Sequence, residues 1–342
     1  MSSIKPCEGR NPMADPIYEQ LAEKIFLKGS TIIPLLFAMI ADKQEAEFML
    51  AMPGTAGELA VKMDLAPGKA AEMCDTLYRK GLAFKSFKGE SVSYKMCRDI
   101  VQFHDASILW PDAPKEYHDL WQKYMEEEWP AFARAVEKLL PRPFARVVPV
   151  HRAVEAGRQQ VLDIDSAKKI VEGAGKLAVT RCTCRVIAHK CDNPVEVCLQ
   201  VNNAARYTID RGSGREVTVK EALEILDVSE KHGLVHVTNN KAHAGHFICN
   251  CCSCCCQSMP LLISEGLTIT DPSRYRAKID QEACTLCGNC VDACIFKAVE
   301  EVDGGAMRVI ETRCMGCGLC FSSCPSGAVA LVEVRPVDFI PS

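Results

Sequence analysis

The chain has 342 residues, 48% of them hydrophobic and 25% charged, which is enough for two or three ordinary domains with buried cores. A net charge of −4 gives no general attraction to nucleic acid or to anionic membrane. The anomaly is the 21 cysteines, all but Cys7, Cys74 and Cys97 of which fall between Cys182 and Cys324.

Those cysteines are bunched at metal-ligand spacings, and a run such as Cys254-Cys255-Cys256 cannot pair within itself without severe strain. No apolar signal core follows the opening MSSIKPCEGR. A secreted disulfide framework is therefore rejected, and a reducing cytoplasm is expected, where thiols stay free for metal. So many oxidisable thiolate sites point to an anaerobic host. The longest apolar stretch, Ile32 to Ile40, contains Pro34 and is far short of the roughly 20 residues a membrane span needs, so it reads as a buried core helix.

Over residues 1–100 the pattern is helical. Gly57-Glu58-Leu59-Ala60 opens a short helix, and a Pro67-Gly68 turn follows. Lys69 to Lys80 then places Ala70, Met73, Cys74 and Leu77 on one face, and Gly81 closes the helix. Two alternating segments flank Lys88-Gly89-Glu90 as a β-hairpin. Helix, turn, helix and hairpin together resemble a winged-helix domain over about 50 residues. Its charge argues against DNA: the basic residues between Glu58 and Arg98 barely outnumber the acidic ones, and Glu72 and Asp75 lie mid-way along the would-be recognition helix. A protein-docking role is expected instead, with no nucleic-acid partner.

Residues 101–150 read as a helical connector, Glu116 to Leu140 being a helical stretch interrupted by Pro130, with Trp110, Trp121 and Trp129 as core. Residues 151–275 hold ten cysteines in two clusters. One reads Arg181-Cys182-Thr183-Cys184-Arg185, then Cys191 and Cys198. The other is Phe247-Ile248-Cys249-Asn250-Cys251-Cys252-Ser253-Cys254-Cys255-Cys256. Between them Thr218 and Glu221 form a capping box that opens a helix ending near Gly233. If the second cluster is extended, Cys249, Cys251 and Cys255 share one side and Cys252, Cys254 and Cys256 the other. Each triad lacks one ligand for a cubane, and the first cluster can supply it. Two further [4Fe-4S] clusters are the leading expectation. A single cluster with free cysteines, a zinc site, and a larger or non-cubane cluster are the alternatives. Of the nearby His189, His232, His236, His243 and His246, the last is the best candidate to replace a thiolate. Arg181, Arg185, Arg206, Arg211 and Arg215 are read as solvated or offsetting cluster charge.

Residues 276–342 contain C-T-L-C-G-N-C-V-D-A-C and C-M-G-C-G-L-C-F-S-S-C-P, each a C-x2-C-x2-C-x3-C run. Zinc prefers two separated cysteine pairs, so these runs speak for iron–sulfur clusters. They resemble the two-[4Fe-4S] bacterial ferredoxins over about 60 residues. That resemblance implies one cluster on Cys284, Cys287, Cys290 and Cys324, and a second on Cys314, Cys317, Cys320 and Cys294. The first run departs from the family in ending Cys294-Ile295, where proline is usual, which puts the local turn in question. The whole arrangement also resembles long cysteine-rich iron–sulfur proteins of anaerobes that pair R-C-x-C-R and F-I-C-N-C-C-x-C-C-C elements with a C-terminal ferredoxin.

The expected fold is thus α+β and multidomain: a winged-helix-like domain (1–100), a helical connector (101–150), a cysteine-rich α/β domain (151–275) and a ferredoxin-like domain (276–342). No G-x-G-x-x-G fingerprint or Walker loop is present. The expected function is an electron-transfer subunit serving a redox enzyme that has its own two-electron cofactor. The alternatives are a redox-sensing transcription regulator and an iron–sulfur reductase with an open central site.

Overall fold

A computed structural model describes residues 15–156, 162–242 and 245–342, and the chain divides into two units at Trp129/Pro130. Cys7, the opening decapeptide and His243 lie outside the described residues.

In the first unit, Asp15 accepts from the Ile17 N–H and starts α1 (Pro16–Lys24). The apolar stretch forms α2 (Ile33–Ile40), with Ile33, Leu36, Phe37 and Ile40 buried, as expected of a core helix. An Asp42/Glu45 capping box opens α3 (Lys43–Ala51). After a short strand, β1 (Gly54–Thr55), a Thr55/Glu58 box opens α4 (Ala56–Lys62). Next, α5 (Pro67–Lys80) buries Ala70, Met73, Cys74 and Leu77, and Gly81 ends it at a φ of +79°. The hairpin β2 (Ala83–Lys88) and β3 (Ser91–Met96) follows, and β1 adds to β3 in an antiparallel sheet of order β1-β3-β2. An aromatic core joins α6 (Ile100–Ser107) and α7 (Lys115–Glu127) to α2. Phe103 stacks on Phe37 with centroids 4.0 Å apart, and Trp121 lies 5.0 Å from Phe103. Tyr117 donates to Ser107 Oγ at 2.6 Å, so the ring's polar tip is satisfied.

Pro130 is the second residue of α8 (Trp129–Leu139), so the interruption read from the sequence is a helix boundary. Then come β4 (Ala145–Val147), α9 (His151–Glu155), α10 (Ala167–Glu172), β5 (Leu177–Arg181) and α11 (Thr183–Ala188). After these, β6 (Glu196–Val201), α12 (Asn203–Arg211), β7 (Arg215–Glu216), α13 (Val219–Lys231), β8 (Val235–Asn239) and β9 (Phe247–Cys251) lead to α14 (Met259–Glu265) and β10 (Thr270–Asp271). Their strands form a seven-stranded sheet of order β10-β4-β8-β9-β6-β5-β7 among the described residues. Only the β10–β4 pair in it is parallel.

Strand alternation sends side chains to opposite faces. One face carries Leu177, Val179, Leu199, Val201 and Ile248, which pack with Ile170 and Val171 of α10 and with Ala222 and Leu226 of α13. The other carries Val147, Val235, Val237, Cys249 and Cys251, and it shares a core with the C-terminal region. There β11 (Tyr275–Ile279), α15 (Asn289–Asp292), β12 (Val299–Val302), β13 (Ala306–Val309), α16 (Leu319–Ser322) and β14 (Val329–Glu333) make two similar halves. β11 pairs antiparallel with β14, and β12 with β13.

A buried ion pair anchors this region to the short turn Asp163–Asp165 that precedes α10. Arg274 donates to Asp165 at 2.5 Å and also to Glu333, and the Arg274 and Asp165 side chains are each only 1% exposed. Removing one partner strands a charge in the interior, at a cost of about 3–5 kcal/mol. Arg274→Met is therefore expected to lower stability to urea by that amount, and Arg274→Met with Asp165→Leu to restore most of it. A single variant as stable as the parent would contradict the anchor.

Candidate metal centres

The C-terminal runs wrap two cavities. Cys284, Cys287, Cys290 and Cys324 line one, walled by Ile279, Met307 and Val329. Cys314, Cys317, Cys320 and Cys294 line the other, walled by Phe296, Val299 and Leu331. In each case three cysteines come from one run and the fourth from the start of the turn that ends the other. Glycines make the tight wrap possible. Gly288 and Gly318 hold φ of +79° and +84° just before α15 and α16. The unusual Cys294-Ile295 sequence keeps the turn: the Lys297 N–H reaches the Cys294 carbonyl at 3.0 Å with Lys297 at φ +50°, as Gly327 does at the proline-containing Cys324. Backbone donors face the sulfurs, the Ala298 N–H lying 3.2 Å from Cys294 Sγ.

Burial pushes the Cys317 thiol up to about 12 and raises those of Cys290 and Cys294. A bare thiolate is thus costly at these three positions. A cationic iron core removes that cost, and four thiolates around an apolar cavity are the donor set a [4Fe-4S] cluster needs.

In the central region, the β6–β9 register sets Cys198 opposite Cys249, their sulfurs 3.8 Å apart. Thiol contacts continue from Cys249 to Cys251, to Cys256, to Cys184 and to Cys182. Six thiols therefore form one group. The remaining four, Cys191, Cys252, Cys254 and Cys255, gather with all sulfurs within 4.8 Å of one another. The alternation expected for the second cluster fails beyond Cys251: Cys255 leaves the Cys249 side and Cys256 joins it. β9 ends at Cys251 and residues 252–256 turn, and only extended backbone alternates its faces.

Arg185 stands between the two groups. Both terminal nitrogens donate to the Asn250 carbonyl at 3.0 Å. Burial works against its charge, but Cys182, Cys252 and Cys251 outweigh that and raise its pKa further. Asn250 is buried, donates to the Val197 carbonyl at 2.6 Å, and accepts from His236 Nδ1 at 2.6 Å. His236 in turn faces Glu230 at 3.2 Å. Arg185 fits the sequence reading of an arginine that offsets cluster charge, whereas the supporting roles of Asn250 and His236 were missed in the sequence. The signal was an asparagine inside a cysteine run, on the opposite strand face from Cys249 and Cys251. His246 is exposed and gives its backbone N–H to Asn239, while His189 and His232 are exposed at helix ends. Arg181 faces solvent, and Arg211 is buried over the Tyr207 ring.

Residues 277–331 match the 4Fe-4S dicluster domain family. The chain is similar to pyruvate synthase subunit PorD of Methanocaldococcus jannaschii, 33% identical over 59 residues that make up 17% of this chain and 69% of that one. It is 32% identical over 95 residues to formate hydrogenlyase subunit 2 of Escherichia coli, covering 26% and 45% of the two chains. To indolepyruvate oxidoreductase subunit IorA of Methanothermobacter marburgensis it is 34% identical over 70 residues, 20% of this chain and 10% of that one. The chain therefore spans less than half the length of the latter two. Through its C-terminal region it belongs to the ferredoxin-like iron–sulfur proteins that carry a 4Fe-4S dicluster domain.

Gly316 gives a local test. At φ +64°, an added Cβ would lie 2.1 Å from the Tyr275 carbonyl oxygen and 2.3 Å from Ser273 Oγ. Gly316→Ala should push the second run off β11 and lower the iron content by about four per chain, one cubane's worth. Unchanged iron and sulfide would show that the loop tolerates the shift.

Proposed function

We propose that the chain is a cytoplasmic electron-transfer subunit that passes electrons singly to or from a redox enzyme. The observation that carries this reading is the shared core in which Cys249 and Cys251 of β9 and Cys256 of the turn after it pack with every cysteine of the two C-terminal cavities except Cys287. An iron–sulfur cluster supplies one-electron chemistry when bound. We assign the two C-terminal clusters to the crossed sets above, and a further iron–sulfur cluster to the six-thiol group. The chain's own residues hold that path together. The Val150 N–H donates to the Cys317 carbonyl at 2.8 Å, and Gly318 comes close enough to α9 that an added Cβ would sit 3.0 Å from Ala153. Apolar side chains back most of these cysteines, Cys287 being exposed, and Arg185 offsets the charge of the central ones. Full thiolate ligation at the C-terminal sites leaves no open position, which favours electron carriage over bond chemistry.

Among the described residues no helix is long and apolar enough to cross a membrane. We read the N-terminal unit as winged-helix-like and as a docking module for protein. The observation behind this is that Glu72 and Asp75 on α5 are exposed and ion-paired to Lys69 and Arg79, which leaves that face little free positive charge for phosphate. Phe87, 71% exposed on the hairpin, offers apolar contact instead.

After anaerobic purification and dithionite reduction, the full chain should give the EPR signals of interacting cubanes. Cys198→Ser should lower iron content while the C-terminal signals persist. Zinc alone in the parent protein would refute the proposal. For the first unit, binding to genomic DNA fragments should vanish by physiological salt. Sequence-selective binding that survives would favour a redox-responsive regulator.

A further inference from the structure

We infer that Cys191, Cys252, Cys254 and Cys255 hold a single divalent metal ion, zinc or ferrous iron, separate from every iron–sulfur cluster. The argument is one of scale. Thiolates about 2.3 Å from one tetrahedral ion stand about 3.8 Å from each other. The Cys191–Cys255 and Cys254–Cys255 sulfurs are each 3.7 Å apart, and all four lie within 4.8 Å of one another. A cubane needs more room. Its bridging sulfides fill the space between the irons, and each thiolate stands one bond further out, so four cubane ligands cannot all lie this close together, whereas the six-thiol group is strung out, with no three of its sulfurs within 4.8 Å of one another among the described residues. Among the described residues, no other group of cysteine, histidine or carboxylate ligand atoms is this compact.

The surroundings fit one closed site. Cys252, Cys254 and Cys255 come from the turn after β9, and Cys191 from the loop after α11, so the ion joins the two cysteine elements. Cys252 and Cys255 are buried with Val197 and Leu234 in a small cluster distinct from the core around the C-terminal cavities. Four thiolates and one divalent cation leave two negative charges. Arg185 lies beside Cys252, and Asn193 Nδ2 donates to Cys191 Sγ at 3.3 Å. With four protein ligands there is no open position for a substrate, and zinc in such a closed site is structural. The ion links residues 182–198 to residues 249–256 beside the β6–β9 pairing, which by itself sets the register of the six-thiol group.

The test is X-ray absorption at the zinc and iron edges on the anaerobically purified full chain, with metal and acid-labile sulfide measured in parallel. If zinc fills the site, about one zinc per chain is expected, with four sulfurs at about 2.3 Å and no metal neighbour. Cys254→Ser should then lose that zinc and leave iron unchanged. If iron fills it, Mössbauer spectra should show one high-spin ferrous tetrathiolate iron beside the cluster iron, and Cys254→Ser should remove that iron and no sulfide. Loss of iron and sulfide together in Cys254→Ser, or a parent chain with no lone ion, would overturn the inference. A chain that kept the ion but failed to carry electrons would sink the proposed function and leave this site standing.

Discussion

The antiparallel pairing of β6 with β9 is the contact on which the cysteine chemistry depends. It joins two elements far apart in sequence, sets Cys198 beside Cys249, and turns Asn250 inward. Asn250 then satisfies Val197, His236 and Arg185 at once. A buried amide with each polar group paired is worth more than its individual bonds, because leaving any of them unmade in the interior is costly. Arg185 is consequently fixed where six thiols and four thiols approach each other. Loss of this register by one residue would send every cysteine of β9 to the wrong face.

The sheet's two faces then take different duties. Apolar side chains and the helices α10 and α13 cover one and supply ordinary stability. The other presents sulfur to the C-terminal core, so the apolar wall of the C-terminal cavities also backs the central thiols. The turn after β9 carries three more cysteines out of that core into a smaller cluster. One cysteine-rich segment thus feeds two environments, one joined to the ferredoxin-like halves and one apart from them.

Much of this was legible in the sequence because it rests on local rules. The capping box at Thr218, the apolar face from Ala70 to Leu77, and the glycine stop at Gly81 are each decided within a few residues. The duplicated cysteine runs likewise carry their own spacing, and residues 277–331 match the 4Fe-4S dicluster family. What was not legible depends on long-range contact. The sorting of ten central cysteines into six and four follows from strand register and from where β9 stops, and neither has a local signature. Alternation was extended past Cys251, and the turn there reversed the places of Cys255 and Cys256. Arg185 and Asn250 were visible as residues, but their role exists only once β6, β9 and α11 have met.

The central claim is that the six-thiol group carries electrons in continuity with the two C-terminal clusters. An anaerobic reductive titration of the full chain, counting electrons taken up per chain, tests it most directly. The account predicts about three electrons, one for each of three clusters, because zinc or already ferrous iron at the fourth site accepts none. Uptake that ends at about two would confine redox activity to the C-terminal pair and contradict the account.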